Sequence, residues 1–190
     1  MPKTKIAIFA SGTGSNAINL IRFFKNSRAI EVGFVLSNNP DAPVLESAQS
    51  LGVNIIYHDN AKVANGEFLV SLCKNNGIDW IILAGYLRLI PKELISAYFN
   101  TMINLHPSLL PNYGGKGMFG SNVHRAVIAN NEKESGITIH FVNQEFDKGR
   151  VIAQFTCELN PGDGVSELEQ KIRHLEQSYF PTVVEKTLLG

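Results

Sequence analysis

Two apolar patterns alternate along the first half of the chain. Short, mostly apolar runs at residues 6–10, 32–36, 53–57, 80–84 and 101–105 read as strands. Their lack of polar alternation fits strands covered on both faces of a parallel sheet. Between them, residues 17–25, 44–51, 68–74 and 92–99 fit helices; the first places Ile18, Leu20, Ile21, Phe23 and Phe24 at helical spacing. Turn residues punctuate the pattern: a Ser-Asn-Asn-Pro-Asp cluster at 37–41, stops at Gly52 and Gly77, and Pro91 at a helix N1 position. This order predicts a doubly wound, mostly parallel Rossmann-like α/β sheet with right-handed crossovers. With no repeat or linker in sight, the expectation is one domain over residues 1–190.

The pattern changes after residue 105. Residues 106–121 form a long loop containing Pro107, Pro111 and Gly114-Gly115, and loops of that length in compact domains are usually functional or disordered. A short helix fits 123–129, and strands fit 136–142 and 151–155. The connection 143–150 is too short for a parallel crossover, so these two strands should form an antiparallel hairpin. In the last segment Ser166 and Glu169 suggest a capping box. Val165, Leu168, Ile172, Leu175 and Tyr179 then share one face of a C-terminal helix, which Pro181 should break or kink.

Composition narrows the class. The chain has 190 residues, 44% hydrophobic and 18% charged, as expected of a globular fold. Seventeen basic and seventeen acidic residues give a formal net charge of +0, which argues against broad nucleic-acid or anionic-membrane binding. Cys73 and Cys157 lack C-x-x-C spacing and read as reduced thiols of a cytosolic protein. No apolar run approaches the ~20 residues of a membrane span.

Four places could carry chemistry. Gly12-Thr13-Gly14-Ser15-Asn16-Ala17 follows the first strand and opens the first helix, where glycines and free N–H groups bind phosphate. The spacing formally matches the dinucleotide fingerprint G-x-G-x-x-A. The second strand, however, ends Leu36-Ser37-Asn38-Asn39, with Asp41 coming late, so no acid awaits a ribose hydroxyl. A lone phosphate ester fits better; a plain tight turn is the simpler alternative. Asn104 and His106, two apart at a strand end, share one face. An amide and an imidazole there can polarise a carbonyl and move a proton, and parallel strand ends are where such sheets bind ligands. Asp147 by itself reads as a turn residue. Only if the hairpin folds back toward His106 would its carboxylate favour and orient an imidazolium. Arg173 and Glu176, three apart, read as a solvated or self-paired ion pair. His58, His124, His140 and His174 show no metal-ligand spacing, and there is no G-x-S-x-G elbow.

Taken together, SGTGSN (11–16), LAGYLRLIP (83–91), INLHPSLLP (103–111) and GITIHFVNQEFDKG (136–149) resemble the phosphoribosylglycinamide formyltransferases, folate-dependent enzymes of purine biosynthesis. N-x-H-P-S-L-L-P marks the wider group using 10-formyltetrahydrofolate. The glycine loop and the short single domain narrow it, since methionyl-tRNA formyltransferases carry an extra C-terminal domain and the deformylases an N-terminal regulatory one. The resemblance implies a catalytic trio of Asn104, His106 and Asp147. It implies a phosphate loop of Gly14, Ser15 and Asn16, and a glycinamide contact at Glu176. For the folate it implies Leu87, Arg88, Leu89 and Ile90 along the pterin pocket, with Asn104, Asn143, Gln144, Glu145 and Phe146. The implied reaction moves a formyl group from 10-formyltetrahydrofolate, a co-substrate, to the amine of 5'-phosphoribosylglycinamide. No metal, nucleic acid or membrane is implied, and the setting is a cytoplasmic monomer or weak homodimer. Two departures stand out. Residues 112–125 are longer than the usual Pro-Gly and His-x-His-Arg run, which only His124-Arg125 echoes. An arginine common after the third strand has no clear match, Lys62 being nearest.

Overall fold

The computed structural model describes residues 2–190. Its strands are β1 (Thr4–Phe9), β2 (Ile30–Ser37), β3 (Asn54–Tyr57), β4 (Trp80–Leu83), β5 (Met102–His106), β6 (Glu134–Phe141) and β7 (Val151–Glu158). They form one sheet in the order β3-β2-β1-β4-β5-β6-β7. The pairs from β3 through β5 are parallel, and β6 and β7 are antiparallel. The expected doubly wound sheet with an antiparallel hairpin at one edge is therefore the fold.

Helices α1 (Ser15–Phe24), α2 (Pro43–Ser50), α3 (Asn60–Val63), α4 (Gly66–Asn75), α5 (Lys92–Ala97), α6 (Ser121–Ala129) and α7 (Val165–Leu189) cover both faces. The strand period of two sorts the core. Ile6 and Ile8 pack with residues of α1, α2, α6 and α7, whereas Ala7 and Phe9 pack with residues of α3, α4 and α5. Phe9 and Phe34 are fully buried with ring centroids 6.5 Å apart, each burial stabilising by roughly 1.5–3 kcal/mol. The chain leaves β1 toward β2 and β3, then crosses back to β4 on the other side of β1. That reversal opens a crevice beyond the carboxyl ends of β1 and β4, the place where this architecture binds ligands.

Local expectations fail in four places, each for a physical reason. Helix α3 is only four residues long and has no periodicity to read; the Asp59 carboxylate caps it by accepting from the Lys62 N–H at 2.8 Å. Pro91 is the N-cap of α5 rather than its first residue, with an extended ψ of 143°. The reach-back at α7 is made by Glu167, which accepts from the Gly164 N–H at 3.0 Å, so the capping frame lies two residues before Ser166 and Glu169. Finally, α7 continues past Pro181 to Leu189 without a break. A proline there leaves the carbonyl of Gln177 without its helical donor. Asn19 Nδ2 on α1 supplies one at 2.9 Å, while Phe180, Pro181 and Val184 are buried in the core.

Candidate active site

Ser11 ties together the loops that follow β1, β2 and β4. Its N–H donates to Gly85 O (3.0 Å), its hydroxyl donates to Asn38 Oδ1 (2.6 Å), and it accepts from the Leu87 N–H (2.9 Å). Asn38 in turn donates to Asn60 Oδ1. The end of β2, where a dinucleotide fold keeps its acid, is thus an amide committed to loop contacts.

Gly14 is the N-cap of α1, with φ +70°. A Cβ there would sit 2.1 Å from Val44 Cγ2 on α2. The left-handed turn and this contact aim the first N–H groups of α1 outward, where they have no intrahelical partner. Gly14→Ala is expected to destabilise the fold by about 1–3 kcal/mol from overpacking and strain. Chemical denaturation reads this as a lowered midpoint at constant m-value; an unchanged midpoint would show that the contact does not set the loop.

Asn104 and His106 end β5 and pair in register with His140 and Thr138 of β6. His106 is buried at 4% exposure. Its Nε2 donates to the Tyr113 carbonyl at 2.8 Å, and its Nδ1 lies 3.6 Å from Asp147 Oδ2. Tyr113 adopts φ +57°, and its hydroxyl is anchored by Glu132 and Asn130. Asp147 lies on the β6–β7 connection, which folds back over the strand ends. Its Oδ2 accepts from the Gly115 N–H at 2.9 Å, and its Oδ1 is 3.7 Å from His140 Nε2. Asp147 is therefore no mere turn residue: it stands between both imidazoles.

The loops and strand ends enclose one cavity of about 510 Å³, a normal size for a small-molecule site. Gly14, Ser15 and Asn16 form one end of its lining. Leu87, Arg88, Leu89 and Ile90 line it after β4, and Asn143, Gln144, Glu145 and Phe146 line it from the β6–β7 connection. Leu87, Leu89 and Phe146 are half-exposed or more, giving an apolar rim. Asn104, His106 and Asp147 line the same space.

Glu176 is outside the cavity lining but joined to it, since Asn16 Nδ2 donates to its Oε2 at 2.8 Å. The expected Arg173–Glu176 ion pair is not formed: Arg173 is exposed, and its charge reaches Glu176 only at a distance. Burial raises the Glu176 carboxyl above its ordinary value of 4.5, against the opposing pull of Asn16 and Arg173. The folded state thus binds more protons than the unfolded one above that value, and stability falls as pH rises through this range. Glu176→Gln keeps an acceptor for Asn16 and should melt higher than the parent protein at pH 7.5, with little difference at pH 4. Equal melting temperatures at pH 7.5 would contradict this.

Several residues of the site escaped the sequence. His140 showed only the absence of metal spacing, because its place depends on cross-strand register. The Tyr113 carbonyl is a backbone group with no residue signature. Tyr86 lies edge-on to Phe9 at 5.4 Å, and its buried hydroxyl, without a hydrogen-bond partner among the described residues, has its pKa raised to about 12 by burial, partly offset by Arg88. Residues 114–120 join the site through the Gly115 N–H, and Lys116 and Phe119 line the cavity. Lys62 lies elsewhere, its Nζ 4.5 Å above the Phe68 ring. Among the described residues no group of three His, Cys, Asp or Glu could hold a metal, and no helix is long and apolar enough to cross a membrane.

Comparison with known proteins gives concordant matches. The formyl transferase family matches residues 4–184. The chain is 36% identical over 188 residues to the chloroplastic phosphoribosylglycinamide formyltransferase of Arabidopsis thaliana, covering 96% of this chain and 64% of that protein. It is 33% identical to the phosphoribosylglycinamide formyltransferase of Bacillus subtilis, covering 98% and 95%. The solved glycinamide ribonucleotide transformylase 1 from Geobacillus kaustophilus superposes with a TM-score of 0.89 at 32% identity, covering 100% of both chains. The chain spans 64% and 60% of the length of the two plant relatives it matches.

Proposed function

The chain belongs to the formyl transferase family, and from that premise we propose that it transfers the formyl group of 10-formyltetrahydrofolate to the amine of 5'-phosphoribosylglycinamide, yielding the N-formyl product and tetrahydrofolate in purine biosynthesis. The observation that carries this reading is the convergence of Asn104, His106 and Asp147 on the same cavity as the α1 N-terminus. The N–H groups of Ser15 and Asn16 suit a phosphate. Glu176, held by Asn16, suits a substrate amine nearby. The apolar rim of Leu87, Leu89 and Phe146 suits the flat face of a pterin.

The chemistry follows from the hydrogen bonds. The neutral amine attacks the formyl carbon, a C–N bond forms, and the carbonyl electron pair moves onto oxygen. Asn104 donates to that oxyanion. The Nε2 hydrogen of His106 is committed to Tyr113, so Nδ1 is the nitrogen free to serve the reaction. At 3.6 Å the Asp147 carboxylate stabilises an imidazolium without holding its proton in a hydrogen bond. The oxyanion's electron pair then re-forms the carbonyl, and the C–N10 bond breaks with its pair going to N10. N10 takes the Nδ1 proton, and the proton shed by the attacking nitrogen restores the imidazolium. Oxyanion donation contributes about 10²–10³ in rate and acid–base help about 10²–10⁴.

The test is release of tetrahydrofolate, followed by absorbance, with phosphoribosylglycinamide and a 10-formyl folate. Turnover dependent on both substrates is expected. Absence of turnover, with tight NAD(P) binding instead, would favour an oxidoreductase built on the Gly12 loop.

A further inference from the structure

His140 has no part in the steps above, yet Asn104 rests on it. It is 2% exposed, and its Nδ1 lies 2.8 Å from its neighbour's carbonyl, Phe141 O. A carbonyl only accepts, so Nδ1 carries a hydrogen. In the neutral ring Nε2 is then a bare lone pair. Asn104 Nδ2 lies 3.1 Å from that nitrogen, and the amide must be the donor. We propose that His140 is a positioning residue: the tautomer fixed by Phe141 holds Asn104 nitrogen-inward and leaves its second Nδ2 hydrogen for the cavity.

The two ends of an asparagine amide are nearly the same size and opposite in polarity. Turned over, Asn104 would present a carbonyl oxygen to a developing oxyanion and repel it. Antiparallel pairing sets His140 directly opposite Asn104, and the lone pair on Nε2 chooses the productive orientation. The titratable groups facing the ring are Asp147 from the β6–β7 connection and His106 from β5. Burial lowers the His140 pKa, His106 adds to this, and the Phe141 carbonyl and Asp147 oppose it. The ring therefore stays neutral where the lone pair is needed. Protonation would set two donors face to face, turn Asn104 away, and draw Asp147 off His106.

The proposal rests on the formyl-transfer reading for its kinetic consequence, whereas the tautomer does not. Long-range 1H–15N correlation of the histidine rings at pH 7.5 should show His140 with Nδ1 protonated and Nε2 bare; an Nε2–H ring or an imidazolium would overturn the proposal. In kinetics, His140→Leu should lower kcat roughly 10- to 100-fold, less than outright loss of an oxyanion donor, with KM changed less than about twofold. His140→Gln, which can place an amide oxygen near the position of Nε2, should recover most of that loss. In an Asn104→Ala background, His140→Leu should cost nothing further, and additive losses would overturn the idea. If the unmodified protein transfers no formyl group, the functional reading fails while the tautomer measurement still decides the hydrogen-bond arrangement.

Discussion

Asp147→Asn should lower kcat by about 10²–10⁴-fold while leaving the protein folded and KM for both substrates close to that of the parent. The substitution is nearly isosteric. Its amide oxygen can still accept from the Gly115 N–H, which Asp147 Oδ2 does at 2.9 Å, so the loop over residues 114–120 keeps its anchor. What disappears is negative charge between two imidazoles, 3.6 Å from His106 Nδ1 and 3.7 Å from His140 Nε2. An imidazolium at His106 then loses its counter-charge in a site where both side chains are largely shielded from water. His106→Ala should cost a similar factor. Residues acting as a unit are grossly non-additive, so the double variant should be little worse than either single one. Steady-state kinetics, with thermal melts as the control for folding, check all three. A kcat near that of the parent for Asp147→Asn would remove the carboxylate from the mechanism.

The parts legible in the sequence are those governed by neighbours in the chain. A strand buried on both faces has to be apolar throughout, so residues 6–10 and 80–84 announce a parallel sheet. Glycine before Ser15-Asn16 announces a helix N-terminus that something approaches closely, and Asn104 with His106 share a face by the period of two. The unread parts are governed by partners distant in sequence. His140 gains its meaning from its register against Asn104, 36 residues away. Pro181 is tolerated because Asn19, 158 residues from Gln177, fills the missing bond. Glu176 looked like half of an ion pair and instead reaches Asn16, 160 residues away. The site's chemistry was thus visible as residue types, while the hydrogen bonds that orient those residues were not.

Gly149→Ala should reduce kcat by about 10²–10³-fold although the position touches no substrate-facing group. Gly149 follows Asp147 by two residues in the connection that folds back over β6. A Cβ there would lie 1.6 Å from the Phe141 carbonyl oxygen and 2.7 Å from its carbon. Those are backbone atoms of a strand paired on both sides, so they cannot swing aside as a flexible side chain would. Phe141 is held by its own N–H bond to Arg150 O at 2.9 Å and by the Arg150 guanidinium 4.4 Å from its ring centroid. The connection must therefore lift, carrying Asp147 away from His106. The Phe141 carbonyl, which accepts from His140 Nδ1 at 2.8 Å, stays with the strand. A displacement of about 1 Å at a reacting group costs on the order of 10²-fold, and here it separates Asp147 from the imidazole it serves. The sheet from β3 through β5 does not depend on this contact, so substrate phosphate binding at the α1 N-terminus should persist. Comparing kcat, KM and inorganic phosphate binding in the variant separates these effects. Wild-type kcat would show that the connection absorbs the methyl group without moving Asp147; loss of phosphate binding would show that the damage spreads through the whole sheet.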